Sequence, residues 1–176
     1  MCLIALSLKK ELDWNGKEAY FFTLVANRDE YHERPTTKMH WWSNKQILAG
    51  KDEEAGGTWL GTNKEGKFAA ITNLKENTDN KYQVSRGELV TDFLESELSA
   101  KVYLEKLESK KNQYAGFNLI VGDKDGLFYL CNRLDGIFFI SEGIHALGNL
   151  TLNSSTKKVE AMKNDFQEIL HKGFSN

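Results

Sequence analysis

Cys2-Leu3-Ile4-Ala5-Leu6-Ser7-Leu8 follows Met1 at the start of the chain, and this apolar run predicts a first β-strand. Asp13-Trp14-Asn15-Gly16 comes next, and its Asn-Gly pair readily adopts the two positive φ angles of a tight hairpin turn. A second apolar run at 20–26 then predicts the other strand of an antiparallel hairpin. Cys2 is therefore expected at the open end of this hairpin, beside the residues that follow the second strand.

The rest of the chain carries two blocks of predicted strands, with helices between and after them. Short apolar runs bounded by turn residues form these blocks: 47–49, 58–61, 68–72, 117–121, 127–130, 137–140 and 144–147. Between the blocks, Ser85 and Glu88 form a capping-box pattern, and apolar residues at helical spacing continue to Leu107. A last helix is predicted over 156–171. This order indicates an α+β fold with two antiparallel sheets and helices outside them.

Length and composition narrow the class of protein. The 176 residues suit a single domain over 1–176, and 40% hydrophobic with 27% charged residues is an ordinary globular balance. A formal net charge of -2 gives no support for nucleic-acid binding. The opening run is too short for a signal peptide, and no run approaches the about 20 apolar residues of a transmembrane helix. Cys2 and Cys131 make no disulfide framework, so we expect free thiols and a cytoplasmic location.

No pattern in the sequence predicts a metal or a cofactor. His32, His40, His145 and His171 lack the spacing of zinc ligands, and Cys-x-x-Cys is absent. A haem-attachment motif is absent as well. We therefore expect neither a metal site nor a cofactor.

Cys2 allows two interpretations. If Met1 is removed, the residue carries both a thiol nucleophile and a free α-amine that can act as its base. Reference pKa values of about 8.5 for the thiol and about 7.7–8.0 for the amine make this proton exchange feasible near neutrality. Otherwise Cys2 is a small apolar residue that opens a strand. Cys131, at the end of an apolar run, is expected to be structural.

A polar segment, Asn27-Arg28-Asp29-Glu30-Tyr31, ends the second predicted strand. A solvated turn would account for such a charge cluster. Because the hairpin is antiparallel, this segment would also lie near Cys2. Arg28 could there depress the thiol pKa and hold a substrate carbonyl or carboxylate. Asp29 could orient the α-amine by accepting its hydrogen bonds.

Two asparagines and a tryptophan are further candidates. Asn73 and Asn149 each come just after an apolar run, where an amide can donate to an oxyanion, although turn chemistry explains either one alone. Trp59 belongs to the glycine-rich segment Gly56-Gly57-Thr58-Trp59-Leu60-Gly61. That segment predicts a tight turn into a strand, and contact between Trp59 and a ligand is the other interpretation.

Taken together, these motifs resemble the NRDE family, also called the transport and Golgi organisation 2 family. The segments that carry the resemblance are, in chain order, Met1-Cys2-Leu3-Ile4, Ala26-Asn27-Arg28-Asp29-Glu30-Tyr31, Arg34-Pro35-Thr36, Gly56-Gly57-Thr58-Trp59-Leu60-Gly61, Phe68-Ala69-Ala70-Ile71-Thr72-Asn73 and Ser85-Arg86-Gly87-Glu88-Leu89-Val90. The family is a relative of the cysteine N-terminal nucleophile hydrolases, such as penicillin V acylase and bile salt hydrolase. The resemblance covers residues 1 to about 150 and implies an αββα sandwich of two mainly antiparallel sheets.

By this resemblance, Cys2 would be the nucleophile after removal of Met1, and Arg28 would lie beside its sulfur. Asn73 and Asn149 would help form the oxyanion site. Asp29 follows Arg28 at a shorter interval than the aspartate of the hydrolases. Trp59 and Arg28 are the candidate substrate-binding residues.

The chain departs from the family pattern near its end. Leu147-Gly148-Asn149 stands where members carry Leu-Ser-Asn, and residues 153–157 replace a Pro-Trp-Pro-Lys stretch. Members also continue for further helices and strands, so we expect part of the usual C-terminal region of the sandwich to be lacking.

Two functions follow from the resemblance. One is cleavage of a non-peptide amide (acyl-amide) bond through a Cys2 thioester. The alternative is a non-catalytic haem- or lipid-binding or trafficking protein. The expected partner is a small-molecule amide or an apolar ligand such as haem or an acyl lipid, with no nucleic acid and no transmembrane segment.

Overall fold

The computed structural model describes residues 2–43, 45–76 and 85–172. Along the chain, blocks of strands alternate with blocks of helices. The elements are β1 (Leu3–Leu12), β2 (Glu18–Asn27), β3 (Thr36–Trp41), β4 (Ile47–Asp52), β5 (Leu60–Asn63), β6 (Phe68–Asn73), α1 (Glu88–Glu95), α2 (Ala100–Glu108), a 3-10 helix (Lys111–Gln113), β7 (Phe117–Asp123), β8 (Gly126–Cys131), β9 (Phe138–Ile140), β10 (Gly143–Leu147) and α3 (Lys157–Lys172). They form two compact units: a terminal unit (Met1–Asp29 with Ser141–Asn176) and a central unit (Glu30–Ile140).

The terminal unit is a three-stranded antiparallel sheet in the order β10-β1-β2, with α3 packed on β10 and β1. Side chains alternate between the two faces of a strand, so Leu3 and Ala5 point to one face and Ile4 and Leu6 to the other. Leu3 and Ala5 pack against α3 in a small apolar core completed by Ala146, Val159 and Phe166. The predicted hairpin of β1 and β2 is confirmed over the full length of both strands.

The turn of this hairpin is built differently from the prediction. Gly16 has a positive φ of 72°, but Asn15 does not adopt one. The Asp13 carboxylate instead accepts hydrogen bonds from the backbone N–H groups of Asn15 (2.8 Å) and Lys17 (2.9 Å). These bonds lower the pKa of the Asp13 carboxyl, chiefly through the Lys17 N–H. A side chain that bonds its own turn thus replaces the second positive φ angle.

The central unit is a seven-stranded antiparallel sheet whose strands follow one another in chain order from β3 to β9. Helix α1 packs on β4, β5 and β6, and α2 packs on β7 and β8. The core beneath these helices is apolar; its fully buried members include Ile47, Leu89, Phe93, Leu104, Phe117 and Leu119. The edge strand β3 was not predicted, because every one of its residues is exposed and no apolar run marks it.

The predicted capping box at the start of α1 is wrong. The helix begins at Glu88 with Gly87 as its N-cap, and no side chain caps it. Ser85 Oγ accepts a hydrogen bond from the Gly87 N–H (3.3 Å) and so orders the turn before the helix. The helix start is positioned mainly by the close approach of Gly87 to another glycine.

Gly57 and Gly87 bring two motifs of the sequence into direct contact. A Cβ atom added to Gly57 would lie 2.8 Å from the carbonyl carbon of Gly87 and 2.9 Å from its oxygen. The Thr58 N–H donates to that same oxygen at 3.4 Å. Since both neighbours are backbone, only glycine fits at position 57 without moving the start of α1.

Gly57→Ala is therefore expected to destabilise the protein by about 1–3 kcal/mol, the usual effect of forcing extra atoms into a packed site. Urea unfolding followed by tryptophan fluorescence measures this change. Ala55→Gly, an exposed position two residues away, is the matched control and should change stability by no more than about 0.5 kcal/mol. Equal unfolding midpoints for Gly57→Ala and the unmodified protein would contradict the contact.

A buried lysine binds carbonyl groups at the C-terminal end of α1. Lys67 Nζ donates to the carbonyl oxygens of Ser96 and Leu98, the latter at 2.9 Å. The ammonium also lies 5.1 Å from the centre of the Phe93 ring. Lys67 thus binds carbonyl groups at the C-terminal end of the helix, where the helix dipole favours a cation.

Candidate functional site

Cys2 comes immediately before the central strand of the terminal sheet. It is half-buried, and its sulfur is not in a disulfide. The adjacent residue, Leu3, pairs with Asn27 of β2, and Ile4 pairs with Leu147 of β10. Cys2 is therefore flanked by the end of β2 on one side and by the residues that follow β10 on the other.

Continuing these registers brings three of the predicted residues to one end of the sheet. One step beyond the Leu3–Asn27 pair places Cys2 opposite Arg28. Asn149 follows the Ile4–Leu147 pair by two residues, in the bend after β10. Opposite residues of an antiparallel pair have Cα atoms about 4.5–5.5 Å apart, so the last pairs hold the chain next to Cys2, Arg28 and Asn149 at the same end of the sheet.

The same alternation assigns these residues to a face. Leu3 and its partner Asn27 share the face covered by α3, so Cys2 and Arg28 continue the opposite face. Arg28 and Asn149 are half-buried, as Cys2 is. A cation and a carboxamide beside a half-buried thiol form a group that could bind a carbonyl oxygen and stabilise a thiolate.

Asp29 is exposed and follows Arg28 as the last residue of the first segment of the terminal unit. Its position after β2 places it at the same end of the sheet as Cys2. Its predicted bond to the α-amine stays a prediction.

Asn73 and Trp59 belong to the central unit. Asn73 is exposed at the end of β6, where it pairs with Phe117. Trp59 is half-buried against the core under α1, and its carbonyl accepts a hydrogen bond from the Ile71 N–H at 2.8 Å. The packing of this ring against the core gives Trp59 a structural role. Its contact with substrate, and the oxyanion role of Asn73, stay predictions.

A buried polar network next to Asn73 was not anticipated from the sequence. Asn118 is fully buried; its Nδ2 donates to Thr72 Oγ1 (3.2 Å) and its Oδ1 accepts from the Tyr129 hydroxyl (2.7 Å). Phe117 and Leu119 face the helices, so Asn118 points to the opposite face of the sheet. The available signal was a polar residue within the apolar run 117–121.

Two arginines of the motifs stabilise the backbone of the central unit. Arg86 Nη1 donates to the Gly116 carbonyl at 2.9 Å, just before β7, which pairs with the end of β6. Arg34 Nε donates to Asp52 at 2.7 Å, and this bond raises the pKa of the guanidinium. Glu54 lies 3.2 Å from the same guanidinium. These contacts give Arg34 and Arg86 structural roles.

Neither a metal cluster nor a membrane-spanning helix is found in the described ranges. No group of three or more His, Cys, Asp or Glu side chains there could hold a metal ion. None of the helices of the described ranges is long and apolar enough to cross a membrane.

Comparison with known proteins agrees with the motifs. The family model described as Transport and Golgi organisation 2 matches residues 1–175. The Transport and Golgi organization protein 2 homolog of Bos taurus is 37% identical over an alignment of 168 positions, and the match covers 90% of this chain and 61% of that protein. The mouse (Mus musculus) homolog is 36% identical over an alignment of 165 positions, and the match covers 88% of this chain and 60% of that protein. The chain thus spans about three-fifths of the length of these relatives.

A solved structure is similar in fold. The Caenorhabditis elegans N-acylethanolamine-hydrolyzing acid amidase ortholog superposes with a TM-score of 0.57 at 9% sequence identity. The match covers 98% of this chain and 80% of the amidase. The predicted α+β fold of the N-terminal nucleophile hydrolase type, with two antiparallel sheets, is confirmed by this likeness and by the strand order. The chain belongs to the transport and Golgi organisation 2 family.

Proposed function

We propose that the protein is an N-terminal nucleophile hydrolase that cleaves a non-peptide acyl-amide bond through Cys2. The observation that supports the proposal is the pairing of the terminal sheet, whose last pairs, Leu3–Asn27 and Ile4–Leu147, come just before Cys2, Arg28 and Asn149 at one end of the sheet. The fold likeness to an amidase is compatible with it, but a fold alone assigns no activity.

In the proposed acylation step, the Cys2 thiol transfers its proton to its own α-amine, and the sulfur attacks the amide carbonyl carbon. A C–S bond forms, and the carbonyl oxygen becomes an oxyanion that accepts a hydrogen bond from the Asn149 amide. The C–N bond then breaks, and the α-ammonium gives its proton to the departing nitrogen. The products are a free amine and a thioester on Cys2.

Water completes the cycle. The α-amine takes a proton from water as its oxygen attacks the thioester carbonyl, and the C–S bond breaks as the carboxylic acid forms. The proton returns to the sulfur. Arg28 assists both steps, because its positive charge stabilises the thiolate and can pair with a substrate carboxylate or carbonyl.

Alkylation with iodoacetamide tests the activation of the thiol. Across about pH 5 to 9, Cys2 is expected to react well below its reference pKa of about 8.5, and Arg28→Ala should shift the reaction toward higher pH. Mass spectrometry separates Cys2 from Cys131, which is fully buried and serves as the internal reference. Arg34→Ala is the matched control, because Arg34 pairs with Asp52 in the central unit. A Cys2 thiol that titrates as an ordinary one, or retention of Met1, would contradict the mechanism.

A second candidate is non-catalytic binding of haem or an acyl lipid. The relatives from Bos taurus and Mus musculus are named for transport and Golgi organization. Under this proposal, Arg28 would pair with a carboxylate of the ligand. Saturable binding of an acyl ligand without release of an amine would favour this function over the first. The two free thiols support a cytoplasmic location under either proposal.

A further inference from the structure

We propose that Asn153 is a positioning residue that holds Asn149 beside Cys2; this inference rests on the proposed function. Asn153 lies in the loop of residues 148–156, which joins β10 to α3 and carries Asn149. The loop follows the edge strand of the terminal sheet. Its conformation therefore decides where the Asn149 carboxamide points.

Asn153 has an unusual backbone conformation. Its φ of 57° is the only positive value at a non-glycine residue in the described part of the chain. A left-handed conformation is unfavourable for residues with a side chain, and asparagine tolerates it better than most. Such a conformation persists when surrounding contacts fix it.

Those contacts join Asn153 to the outer edge of β10. The Asn153 N–H donates to the Ala146 carbonyl at 2.8 Å. Its side-chain Oδ1 accepts from the Ala146 N–H at 3.1 Å. Asn153 thus bonds both the N–H and the carbonyl of Ala146, the two backbone groups that point away from β1. These bonds join the two ends of the segment 146–153, which contains Asn149.

His145 fixes the orientation of the same carboxamide. Its Nε2 lies 2.9 Å from the Ser141 carbonyl, which can only accept, so Nε2 carries the hydrogen. Its Nδ1 is then an acceptor, and Asn153 Nδ2 donates to it at 3.0 Å. Burial lowers the pKa of His145, and Lys163 of α3 adds to this effect, so the imidazole keeps its neutral, accepting form near neutral pH.

This anchor stands where the family pattern has a proline-rich stretch. Prolines would restrict the backbone directly, whereas residues 153–157 of this chain contain none. Three hydrogen bonds from Asn153 supply the restriction instead. At the start of the loop, Gly148 packs closely on α3, since an added Cβ would lie 3.3 Å from Val159 Cγ2. The loop is thus fixed on both sides of Asn149.

Two reactions of Cys2 distinguish positioning from a general structural role. Acylation by p-nitrophenyl acetate develops an oxyanion, whereas alkylation by iodoacetamide does not. Asn153→Gly tolerates the same φ but lacks both side-chain bonds. We expect it to slow acylation by about 10- to 100-fold, a partial loss of one oxyanion donor, and to leave alkylation unchanged.

Two further variants sharpen this test. Asn153→Asp keeps the acceptor for the Ala146 N–H but loses the donor to His145, so it should slow acylation less than Asn153→Gly. Asn15→Gly, in the turn at the other end of the β1–β2 hairpin, is the control and should change neither rate. Equal slowing of both reactions by Asn153→Gly, or unchanged acylation, would overturn the proposal.

Hydrogen exchange separates this inference from the proposed function. Asn153→Gly should raise the rate of amide hydrogen exchange in residues 148–152 by about tenfold or more. The reason is that opening of the loop then no longer has to break the two side-chain hydrogen bonds of Asn153. If the unmodified protein forms no acyl-enzyme, the hydrolase function fails and exchange alone decides whether Asn153 holds the loop. Unchanged exchange in 148–152 would overturn the positioning role whatever the activity.

Discussion

Cys2→Ala is expected to abolish the initial burst of p-nitrophenol that the proposed Cys2 thioester predicts for p-nitrophenyl acetate. The substitution removes the only cysteine thiol of the described terminal unit, since the other cysteine, Cys131, is fully buried in β8 of the central unit. Loss of a nucleophile costs about 10³-fold or more in rate, because the remaining groups cannot form the thioester. Absorbance of released p-nitrophenol gives the size of the burst.

The matched control is Cys131→Ala, which removes a thiol outside the proposed site. It should leave the burst intact, although a buried cysteine contributes to packing, so thermal unfolding is measured for both variants. A burst that survives in Cys2→Ala, or that disappears in Cys131→Ala with the fold preserved, would assign the nucleophile to another residue.

Asn149→Ala has the second largest expected effect. Removing one oxyanion donor typically slows the chemical step by about 10²- to 10³-fold. The acylation rate with p-nitrophenyl acetate should fall by this amount, while the alkylation rate with iodoacetamide stays the same. The difference arises because only acylation places negative charge on a carbonyl oxygen.

Asn27→Ala provides the control at the same end of the sheet. Asn27 pairs with Leu3 and shares the face covered by α3, opposite to that of Cys2 and Arg28. We expect this variant to keep the acylation rate. A parallel fall of acylation and alkylation in Asn149→Ala would mean that Asn149 supports the local structure rather than the oxyanion.

The part of the site formed by the hairpin could be predicted because its determinants are local. An apolar strand, turn residues at 13–16 and a second apolar strand define an antiparallel pair, and that pairing brings the residues next to Cys2 and Arg28 together as the Leu3–Asn27 pair. The turn itself was predicted for the wrong reason, since the Asp13 carboxylate organises it. Strand pairing proved easier to predict than turn geometry, because several turn types can join the same two strands.

Features that depend on distant partners could not be predicted. Strand β3 has no apolar run and exists through its pairing with β4. A lysine between turn residues usually indicates an exposed side chain, but Lys67 is buried. Its ammonium binds carbonyl groups about thirty residues further along the chain. Gly57 suggested only a tight turn, whereas the structure requires glycine there because Gly87 approaches it.

The loop that carries Asn149 shows the same limit within the site. In the sequence, Asn153 marks only a departure from the family pattern. Its positive φ and its bonds to Ala146 and His145 depend on the edge of β10. Asparagine in a loop usually indicates turn chemistry, which hides a role in fixing a neighbouring strand. Sequence patterns therefore predicted a nucleophile and its flanking residues, but not the contacts of Asn153 with the edge of β10.

Peptide mapping by mass spectrometry, after brief reaction of the untagged protein with p-nitrophenyl acetate, tests the central claim most directly. The proposed mechanism predicts a chain that begins at Cys2 and carries one acetyl group on that residue, with Cys131 unmodified. A chain that retains Met1, or an acetyl group found on other side chains while Cys2 stays unmodified, would contradict it.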